Sequence, residues 1–392
     1  MPQSGRRLPP GRRLRLGMVG GGQGAFIGAV HRYAARLDDH YELVAGAFAS
    51  TPERSHASAA TLGVAHERAY GSFAEMAAAE AAREDGIDVA SIVTPNHLHY
   101  PAAKAFLDAG IHVICDKPLT TSLTDARALT SLVDQSGLVF VLTHNYTGYP
   151  MVRQARAMVE VGELGRIRTI QVEYAQDWLT KRLETEGQKQ ADWRSDPKRS
   201  GPGGCVTDIG THAHNIARFV TGLEVESLCA DLTTFVQGRA LDDNVQMLLR
   251  FEGGARGALW ASQVAPGNEN ALKLRVYGDK AGLAWSQEDP SYLHHMPLGE
   301  PPRVIRRGGG GAGPSAARVT RIPAGHPEGY LEGFATIYSD AAELIRANIQ
   351  CREPEEDARL APTVRDGVRG VELIEAAVAS SSRGGAWVKM GA

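Results

Sequence analysis

The chain of 392 residues has little net charge and no long apolar run, and both absences exclude a class of partner. Lys and Arg number 42 against 45 Asp and Glu, so we expect no broad basic surface and no nucleic-acid partner. Apolar runs such as residues 138–142 are far shorter than the roughly 20 residues that span a bilayer. We therefore expect no transmembrane helix and no membrane partner.

Cysteine is also scarce, and no two cysteines form a C-x-x-C pair; the four are Cys115, Cys205, Cys229 and Cys351. Their wide spacing argues against a zinc knuckle and against a disulfide framework, and it fits a reduced, cytoplasmic protein. Residues 1–13 are rich in arginine, but no apolar segment follows them, so they lack the form of a secretory signal. We interpret residues 1–13 as a disordered basic leader.

The composition, 43% apolar and 22% charged, is that of a globular protein, and the length allows about two or three domains. Up to residue 142, short β-rich runs alternate with helical stretches, which is the pattern of β-α-β units around a parallel sheet. The runs are residues 14–19, 43–48, 89–93, 111–114 and 138–142. We predict a doubly wound α/β domain over residues 14–148.

After Pro150 the pattern changes. A predicted helix over residues 151–161 is followed by longer strands without intervening helices, which indicates an antiparallel sheet. These strands are expected at residues 167–174, 245–251, 258–264 and 272–277. We predict an α+β second domain over residues 149–392, and we interpret its Gly-rich segment 306–315 as a mobile loop.

The first predicted strand leads directly into the sequence GGGQGAFIG, residues 20–28, and a predicted helix follows. A dinucleotide pyrophosphate needs glycine where the backbone turns tightly or approaches the phosphates, and it needs the amide groups of a helix N-terminus. The spacing Gly20-x-Gly22-x-x-Ala25 meets this requirement, with Ala25 as the tolerated third position. The expected cofactor-binding residues of the turn are Gly20, Gly22, Gln23, Gly24 and Ala25.

The second predicted strand ends without the acidic residue that usually binds the ribose hydroxyls of NAD. Ala49, Ser50 and Thr51 stand there instead. Ser50, Thr51 and Arg54 are candidates for binding a 2'-phosphate, although Arg54 has an equally good interpretation as a solvated residue in the first turn of the next helix. The cofactor is therefore predicted as NAD(P), with NAD and NADP both open.

Polar segments follow two further predicted strands, as TPNHLHY at residues 94–100 and CDKPL at residues 115–119. Because the carboxyl ends of parallel strands line the ligand crevice, we expect both segments at the same edge of the sheet. Lys117 is a candidate acid/base or substrate-orienting cation, and the alternative is that Asp116 and Lys117 form a surface turn. His97 and His99 have no further ligand near them in the sequence, so we predict no metal site.

The segment SGPGGCVTDIGTHAHNIARFV, residues 200–220, has the densest set of candidate catalytic residues. If the chain is helical after Gly204, Asp208, His212 and Asn215 project from one face, because they lie four and three residues apart. A carboxylate beside an imidazole suits proton transfer at a sugar hydroxyl. The alternative is a helix-capping Asp next to a packed His, and His214 is expected in the core.

Taken together and in this order, these elements resemble the glucose-fructose oxidoreductase/inositol dehydrogenase (Gfo/Idh/MocA) family. The family has a Gly-rich turn, a T-P-N-x-x-H element, an E-K-P element and a G-x-x-x-D-x-G-x-H-x-x-D element. The last three match Thr94-Pro95-Asn96 with His99, Asp116-Lys117-Pro118, and residues 204–215. Asp116 replaces the family's Glu, and Asn215 replaces its last Asp, which removes a charge near the substrate.

The resemblance implies a Rossmann domain, a second domain with a large open antiparallel sheet, and a homodimer or homotetramer formed through that sheet. It implies catalytic roles for Lys117, Asp208 and His212. The resemblance further places Thr94, Pro95, Asn96, His99, Asp116 and Lys117 at the cofactor, and Lys117, Asn145, Tyr146, Trp178, His212 and Asn215 at the substrate. It also places Trp193 and Arg194 at the cofactor, although by sequence alone this pair has an equally good interpretation as surface packing. Trp178 lies in a segment that resembles levoglucosan-type sugar dehydrogenases, and its ring could stack on a pyranose; the alternative is an aromatic residue of the core.

The expected function is hydride transfer between a nicotinamide and a hydroxyl-bearing carbon of a sugar, glycoside or cyclitol. Two alternatives stay open, a glycosidase that uses bound NAD for transient oxidation and a dinucleotide-binding regulator without catalysis. The joint presence of Lys117, Asp208 and His212 favours the dehydrogenase.

Overall fold

The computed structural model describes Pro9 and residues 11–391, and most of the predicted basic leader lies outside these residues. The chain divides into two compact units. The first unit extends to Asn145 and includes Leu331–Val368, and the second comprises Tyr146–Tyr330 and the chain from Arg369 onward. None of the helices in the described part of the chain has both the length and the apolar character needed to cross a bilayer.

The strands of the described residues form two sheets. In chain order they are β1 (Leu14–Gly20), β2 (Tyr41–Ala47), β3 (Val89–Val93), β4 (His112–Cys115), β5 (Phe140–Leu142), β6 (Ile167–Ala175), β7 (Val225–Thr233), β8 (Asn244–Phe251), β9 (Arg256–Ser262), β10 (Ala271–Gly278), β11 (Ala281–Ser286), β12 (Tyr292–Pro297), β13 (Arg303–Arg306) and β14 (Val388–Lys389).

The α-helices, again in chain order, are α1 (Phe26–Leu37), α2 (Pro52–Leu62), α3 (Phe73–Ala82), α4 (His99–Asp108), α5 (Leu123–Ser136), α6 (Pro150–Glu160), α7 (Lys189–Arg194), α8 (Pro197–Ser200), α9 (Thr211–Thr221), α10 (Pro314–Ala317), α11 (Tyr330–Ile349) and α12 (Val364–Ser381). Shorter 3-10 turns lie at His66–Arg68, Asn96–Leu98, Asn145–Gly148, Leu183–Thr185, Glu252–Gly254 and Glu356–Leu360, and a π-helical turn lies at Val206–Gly210.

The first unit contains a five-stranded parallel sheet in the order β2-β1-β3-β4-β5. All residues of β3 and β4 are buried, as expected of central strands with both faces covered. Helices α3 and α5 begin at hydroxyl caps, since the Ser72 and Ser122 side chains accept backbone N–H groups at their starts. This sheet confirms the predicted doubly wound α/β fold class.

The second unit contains a nine-stranded sheet in the order β13-β12-β11-β10-β6-β9-β8-β7-β14. Its neighbours pair antiparallel except β6 and β9, which pair in parallel. A parallel pair is possible because β6 and β9 are joined by a long crossover rather than by a hairpin. The predicted α+β arrangement with a large open sheet is confirmed. Helices α6 and α9 pack on one face of this sheet around a core that includes Met151 and Ile216.

The division of the chain differs from the predicted boundary, which puts every residue after 148 in the second domain. The structure assigns residues 331–368 to the first unit. The reason is a buried contact of α11, in which the Tyr338 hydroxyl lies 2.8 Å from His31 Nδ1 and 2.8 Å from Ser91 Oγ. The Tyr41 hydroxyl also donates to the Tyr338 carbonyl at 2.7 Å. Contacts between residues so distant in sequence leave no local pattern that predicts them.

The Gly-rich segment 306–315 is anchored on both sides, although it contains few regular elements. Arg307 is buried, and its guanidinium donates to Glu328 Oε1 at 2.8 Å. The Gly313 N–H donates to Gln154 Oε1 at 2.6 Å, immediately before α10 begins at Pro314. A buried ion pair and a partly buried amide contact therefore hold this segment in place, although its composition predicts a mobile loop.

Candidate active site

The turn after β1 has the backbone conformation that the glycine pattern predicts. Gly20, Gly21 and Gly24 adopt φ values of 79°, 72° and 75°, a left-handed region that favours glycine. A Cβ on Gly22 would lie 2.6 Å from Ser58 Oγ and 2.7 Å from Phe48 O. Glycine is therefore favoured along this path by backbone conformation at Gly20, Gly21 and Gly24, and by lack of space at Gly22.

The third, helix-packing position of the turn is Gly28 rather than Ala25. A Cβ on Gly28 would lie 2.3 Å from Gly21 Cα and 2.5 Å from Gly21 O, so α1 and the turn are in direct backbone contact there. Ala25 is half-buried and precedes the first residue of α1. The spacing G-x-G-x-x-A points to Ala25 only if the helix starts directly after the second glycine. Here α1 starts at Phe26, so the residue that packs against the turn comes later, at Gly28.

The beginning of α1 suits an anionic ligand. In the described structure no side chain caps this helix and no acidic residue lies in its first turn. The first backbone N–H groups of a helix have no partner within the helix, and they attract phosphate. The space around Gly24 is open, since a Cβ there would meet no atom within 4 Å. These residues fit a dinucleotide pyrophosphate.

The residues after β2 have mostly structural contacts. The Thr51 hydroxyl accepts the Arg54 N–H at 3.5 Å and caps α2, and Ser50 and Arg54 are exposed. The Gln23 side chain donates to Thr61 Oγ1 at 2.9 Å. Arg54 thus lies in the first turn of α2, where it is expected as a solvated residue. Its alternative role, binding the 2'-phosphate of NADP, stays a prediction.

His99 holds together the segments that follow β3 and β4. Its imidazole is completely buried, with Nδ1 2.7 Å from the Pro118 carbonyl oxygen and Nε2 3.0 Å from the Thr94 carbonyl oxygen. Burial lowers the pKa of His99. Both ring nitrogens thus face backbone carbonyls, and the predicted cofactor contact of His99 stays a prediction. Asn96, in the 3-10 turn between Pro95 and α4, is also buried.

Lys117 lies directly after β4, as predicted, and it is half-buried. The Asp116 carboxylate stabilises this turn, because its Oδ1 accepts the Lys117 N–H at 2.9 Å and the Thr143 hydroxyl at 3.0 Å. The following Lys117–Pro118 peptide is cis. Asn145 is buried beyond the end of β5. Asp116 therefore has a defined role in shaping the backbone beside the candidate catalytic lysine.

In the second unit, the candidate acid/base residues lie on a helical segment with an unusual start. Residues Val206–Gly210 form a π-helical turn that continues into α9. The buried Asp242 side chain accepts the Gly204 N–H at 2.6 Å and the Val206 N–H at 2.9 Å at this start. A Cβ on Gly204 would lie 2.3 Å from the Asp242 carbonyl oxygen, so this approach requires glycine.

The expected helix after Gly204 is therefore present, but its first turn is π rather than α. One wide turn separates Asp208 from His212, so both side chains belong to the same side of the segment. Asn215 is buried one turn further along α9, and His214 is buried as predicted. Sequence spacing alone does not distinguish an α-turn from a π-turn.

Asp208 is contacted from two other parts of the second unit. Its Oδ2 accepts the Gln263 side-chain amide at 2.9 Å, and the Arg194 Nε lies 3.3 Å from the same oxygen. Arg194 also stacks on the Trp193 ring, with its guanidinium carbon 4.2 Å from the ring centre. Arg194, with Trp193 beside it, thus lies at the candidate catalytic carboxylate. The family resemblance places these two residues at the cofactor and does not predict this contact.

The His212 imidazole is almost completely buried, 8% exposed, and it packs against two tyrosines. Its ring centre lies 4.9 Å from that of Tyr146, edge to face, and 6.2 Å from that of Tyr174. Burial raises the pKa of both tyrosines, and the charge of Asp208 adds to this effect. The structure therefore brings Tyr146, Asp208, His212 and Arg194 together in the second unit.

A chain of hydrogen bonds extends from these tyrosines along β6 and was not predicted. The Tyr146 and Tyr174 hydroxyls lie 2.6 Å apart, and the Tyr174 hydroxyl donates to Asn270 Oδ1 at 2.7 Å. Gln176 donates to the same oxygen at 2.8 Å and accepts the Trp178 indole N–H at 3.0 Å. The predicted Trp178 thus belongs to this network. The alternation of Tyr174, Gln176 and Trp178 is visible in the sequence and could have indicated that these side chains share one side of the strand. Their common partner Asn270 could not be predicted, because it lies 96 residues away from Tyr174.

Two family models match the chain over most of its length. Residues 14–144 match the model described as an oxidoreductase family with an NAD-binding Rossmann fold. Residues 152–284 match the model of the GFO/IDH/MocA C-terminal domain. The matched regions contain the glycine turn, Lys117, Asp208 and His212.

Similar proteins are known over nearly the whole chain. The crystal structure of an oxidoreductase from Sinorhizobium meliloti is 56% identical, with a TM-score of 0.87, and the match covers 96% of this chain and 100% of that one. An inositol dehydrogenase homologue from Azotobacter vinelandii, complexed with NADH and myo-inositol, is 36% identical with a TM-score of 0.89 over 97% and 98% of the two chains. The uncharacterized oxidoreductase YfiI of Bacillus subtilis is 35% identical over 96% of both chains. The chain described here therefore belongs to the GFO/IDH/MocA family of NAD-binding oxidoreductases, as its motifs predict.

Proposed function

We propose that this protein is a dehydrogenase that oxidises a secondary alcohol of a neutral sugar or cyclitol. The observation that carries this proposal is a buried imidazole, His212, on the same side of a helical segment as the carboxylate of Asp208. A general base of this kind is what the loss of a hydroxyl proton requires. The Azotobacter vinelandii homologue, whose structure contains NADH and myo-inositol, supports the substrate class.

The side chains around His212 favour a neutral substrate. Asp208 is the carboxylate of this cluster, and Arg194 forms an ion pair with it, so the two charges compensate each other. The network along β6 offers hydroxyl, amide and indole groups. Groups of this type recognise hydroxyls by hydrogen bonds and a sugar or cyclitol ring by its apolar face.

The reaction removes a hydride from a carbon and a proton from its hydroxyl, leaving a carbonyl group. When bound, the nicotinamide supplies the chemistry that accepts the hydride. We assign His212 as the base that takes the hydroxyl proton, and Asp208 as the group that stabilises the resulting imidazolium. We assign Lys117 a hydrogen bond to the alcohol oxygen, which stabilises the negative charge that develops there.

The dinucleotide would be held in the first unit by the turn at residues 20–28 and the N-terminus of α1. Gly22 and Gly28 let the turn and α1 pack closely, and the first N–H groups of α1 would receive the negative charge of the phosphates. The residues after β2 do not distinguish NAD from NADP, so this choice must be measured. Asn96 and Lys117 are the further residues of this unit that we assign to dinucleotide binding.

The test is the reduction of NAD⁺ and NADP⁺, followed by absorbance at 340 nm, with a panel containing myo-inositol, scyllo-inositol, levoglucosan, glucose and xylose. We expect turnover with at least one of these compounds. Lys117→Ala and His212→Ala should each lower kcat by about 10² to 10⁴, the usual contribution of a general acid or base, with little change in dinucleotide affinity. Near-normal rates in both variants would show that the assigned site is wrong.

A matched control is available on α9 itself. Arg218 is a charged residue of the same helix whose side chain pairs with Glu224, and Arg218→Gln should leave kcat unchanged. Product analysis by mass spectrometry also separates the two alternatives. Cleavage of a glycosidic bond without net dinucleotide reduction would indicate the glycosidase, and dinucleotide binding without any product would indicate the regulator.

We also propose that the second sheet forms an interface between copies of this chain. Its outer face exposes apolar and aromatic side chains, including Leu248 on β8 at 55% exposure and Tyr277 on β10 at 36% exposure. Exposed apolar groups on a broad sheet are typical of subunit interfaces. Light scattering after size-exclusion chromatography should show a dimer or tetramer, and a Leu248→Glu variant should shift the population toward the monomer.

We propose a cytoplasmic location on the basis of the cysteines. All four are free, and the buried Cys115 and Cys205 lie in the core. Unpaired cysteines are typical of a reducing compartment. Fractionation of the source cells with an antibody against this chain tests the assignment.

A further inference from the structure

Arg194 reaches the site from a segment that precedes the catalytic helix. Its Nε lies 3.3 Å from Asp208 Oδ2, and its side chain is 22% exposed while that of Asp208 is 16% exposed. The guanidinium is further oriented by the Trp193 ring and by the Gln190 side chain, which accepts a hydrogen bond from it. A guanidinium with three such contacts is a positioned charge rather than a freely moving one.

The segment around α7 is itself fixed within the second unit. Gln188 caps α7 by accepting the Ala191 N–H at 2.6 Å, and Ala191 is fully buried. The 3-10 turn Leu183–Thr185, which precedes α7, is held as well, because the buried Arg239 donates to Glu184 Oε1 at 3.0 Å and to Glu184 Oε2 at 3.1 Å. The hydrogen bonds from Arg239 lower the pKa of Glu184, although burial of the carboxyl opposes this effect. Arg194 is therefore presented to Asp208 by a structured element.

The electrostatic effect of Asp208 extends to the surroundings of His212. The negative charge of Asp208 contributes to the raised pKa of Tyr146 and of Tyr174, for which burial is the main cause. Both tyrosines are in ring contact with His212. Asp208 and His212 also lie one turn apart on the same helical segment, so a change in the net charge at Asp208 acts on the imidazole at short range.

We propose that Arg194 is a positioning residue for the reaction, which compensates the charge of Asp208 and thereby keeps His212 unprotonated and able to act as a base. This inference rests on the proposed function, because it assigns Arg194 to the same site. An uncompensated carboxylate beside an imidazole favours the imidazolium, which cannot accept a proton. The Gln263 side-chain amide donates to Asp208 Oδ2 and holds the carboxylate in one orientation.

Within the second unit, the titratable groups near His212 and Asp208 come from several elements. Tyr146 and Tyr174 face the imidazole, Arg194 and the neutral Gln263 face the carboxylate, and Cys205 lies one turn earlier on the same segment. Burial raises the pKa of both tyrosines and of the Cys205 thiol. These groups therefore stay neutral between pH 5 and 9, and the charge that a substitution at residue 194 changes is the guanidinium alone.

The experiment follows the proton titration of His212 by NMR in the full-length protein labelled at histidine, with His212→Asn used to identify the signal. We expect Arg194→Gln to raise the midpoint of the His212 titration by about one pH unit, since an opposite charge within reach of an ionisable group changes its pKa by about 1 to 3 and partial exposure reduces the effect. Arg194→Lys should restore at least half of the difference, because the charge returns without the planar fork.

Arg199→Gln is the matched control. It removes the same charge from the neighbouring exposed pair with Asp192, whose atoms lie 2.7 Å apart, and it should leave the His212 midpoint unchanged. Arg194→Met, which keeps the aliphatic stem over Trp193, provides a second uncharged variant if Arg194→Gln does not fold. The same midpoint in wild type and uncharged variants, or the absence of titration in all of them, would overturn the proposal.

Steady-state kinetics supply the second readout. With an oxidisable substrate, the acidic limb of kcat/KM in Arg194→Gln should move to higher pH by the same amount, which corresponds to a rate loss of up to about tenfold at acidic pH. A raised KM for the dinucleotide with an unchanged acidic limb would instead favour contact with the cofactor and overturn the proposal. The NMR titration needs no turnover, so it tests Arg194 even if the wild-type protein oxidises none of the polyols.

Discussion

Replacing Gly28 by alanine tests how the first unit holds its dinucleotide. The added Cβ would lie 2.3 Å from Gly21 Cα and 2.5 Å from Gly21 O, whereas ordinary contacts begin at 3.4 Å. Both neighbours are backbone atoms, so no side chain can rotate away. Helix α1 or the turn must therefore move by about 1 Å, and the N–H groups at the start of α1 move with it.

The magnitude follows from the hydrogen bonds that such a movement breaks. A hydrogen bond to a charged group contributes about 1.5 to 3 kcal/mol, so the loss of one or two of them weakens binding by about 3 kcal/mol. This corresponds to an increase of about 100-fold in the Kd for the dinucleotide. Isothermal titration calorimetry with NAD⁺ and NADP⁺ measures the change directly in the full-length protein.

Gly63→Ala is a suitable control. Gly63 ends α2 with φ 71°, and a Cβ there would meet no atom within 4 Å. The variant should lose about 1 kcal/mol of stability because of the strained backbone, with the dinucleotide Kd unchanged. If Gly28→Ala folds, as shown by its thermal transition, and binds the dinucleotide within threefold of the wild type, the turn does not hold the phosphates as reasoned.

Three further predictions concern the second unit. Burial raises the pKa of Asp242 to about 6 from the usual 3.8, so its proton stabilises the folded state at low pH and this stabilisation is lost as pH rises from about 4 to 6. Compared with Asp242→Asn, the wild type should lose about 3 kcal/mol of unfolding free energy over that range, and parallel curves from denaturant titrations would contradict this. Glu328→Gln leaves the buried Arg307 unpaired and should cost about 3 to 5 kcal/mol, whereas Glu300→Gln, in an exposed pair, should cost less than about 1 kcal/mol in the same titrations. Tyr174→Phe removes a buried hydroxyl with two hydrogen-bonded partners and should lower stability by about 1 to 3 kcal/mol and reduce kcat/KM while dinucleotide affinity is kept; an unchanged kcat/KM would place the network outside the substrate site.

Local patterns predict much of the first unit. Strand β3 has the predicted bounds, and β1 and β2 lie within two residues of theirs, because buried parallel strands are short apolar runs between turn residues. The glycine turn and the position of Lys117 after β4 also follow from the sequence, since both depend on residues adjacent in the chain. The family resemblance rests on the same short elements.

The sequence by itself thus determined the fold class, the family and the chemical identity of the candidate catalytic residues. Only the tertiary structure decided that Gly28 rather than Ala25 packs against the turn, and that Arg194 reaches Asp208. It also decided that residues 331–368 return to the first unit, and that Asn270 bonds to Tyr174. Each of these depends on atoms from distant parts of the chain, and such contacts are set by packing and by the pairing of buried polar groups, which no local periodicity records.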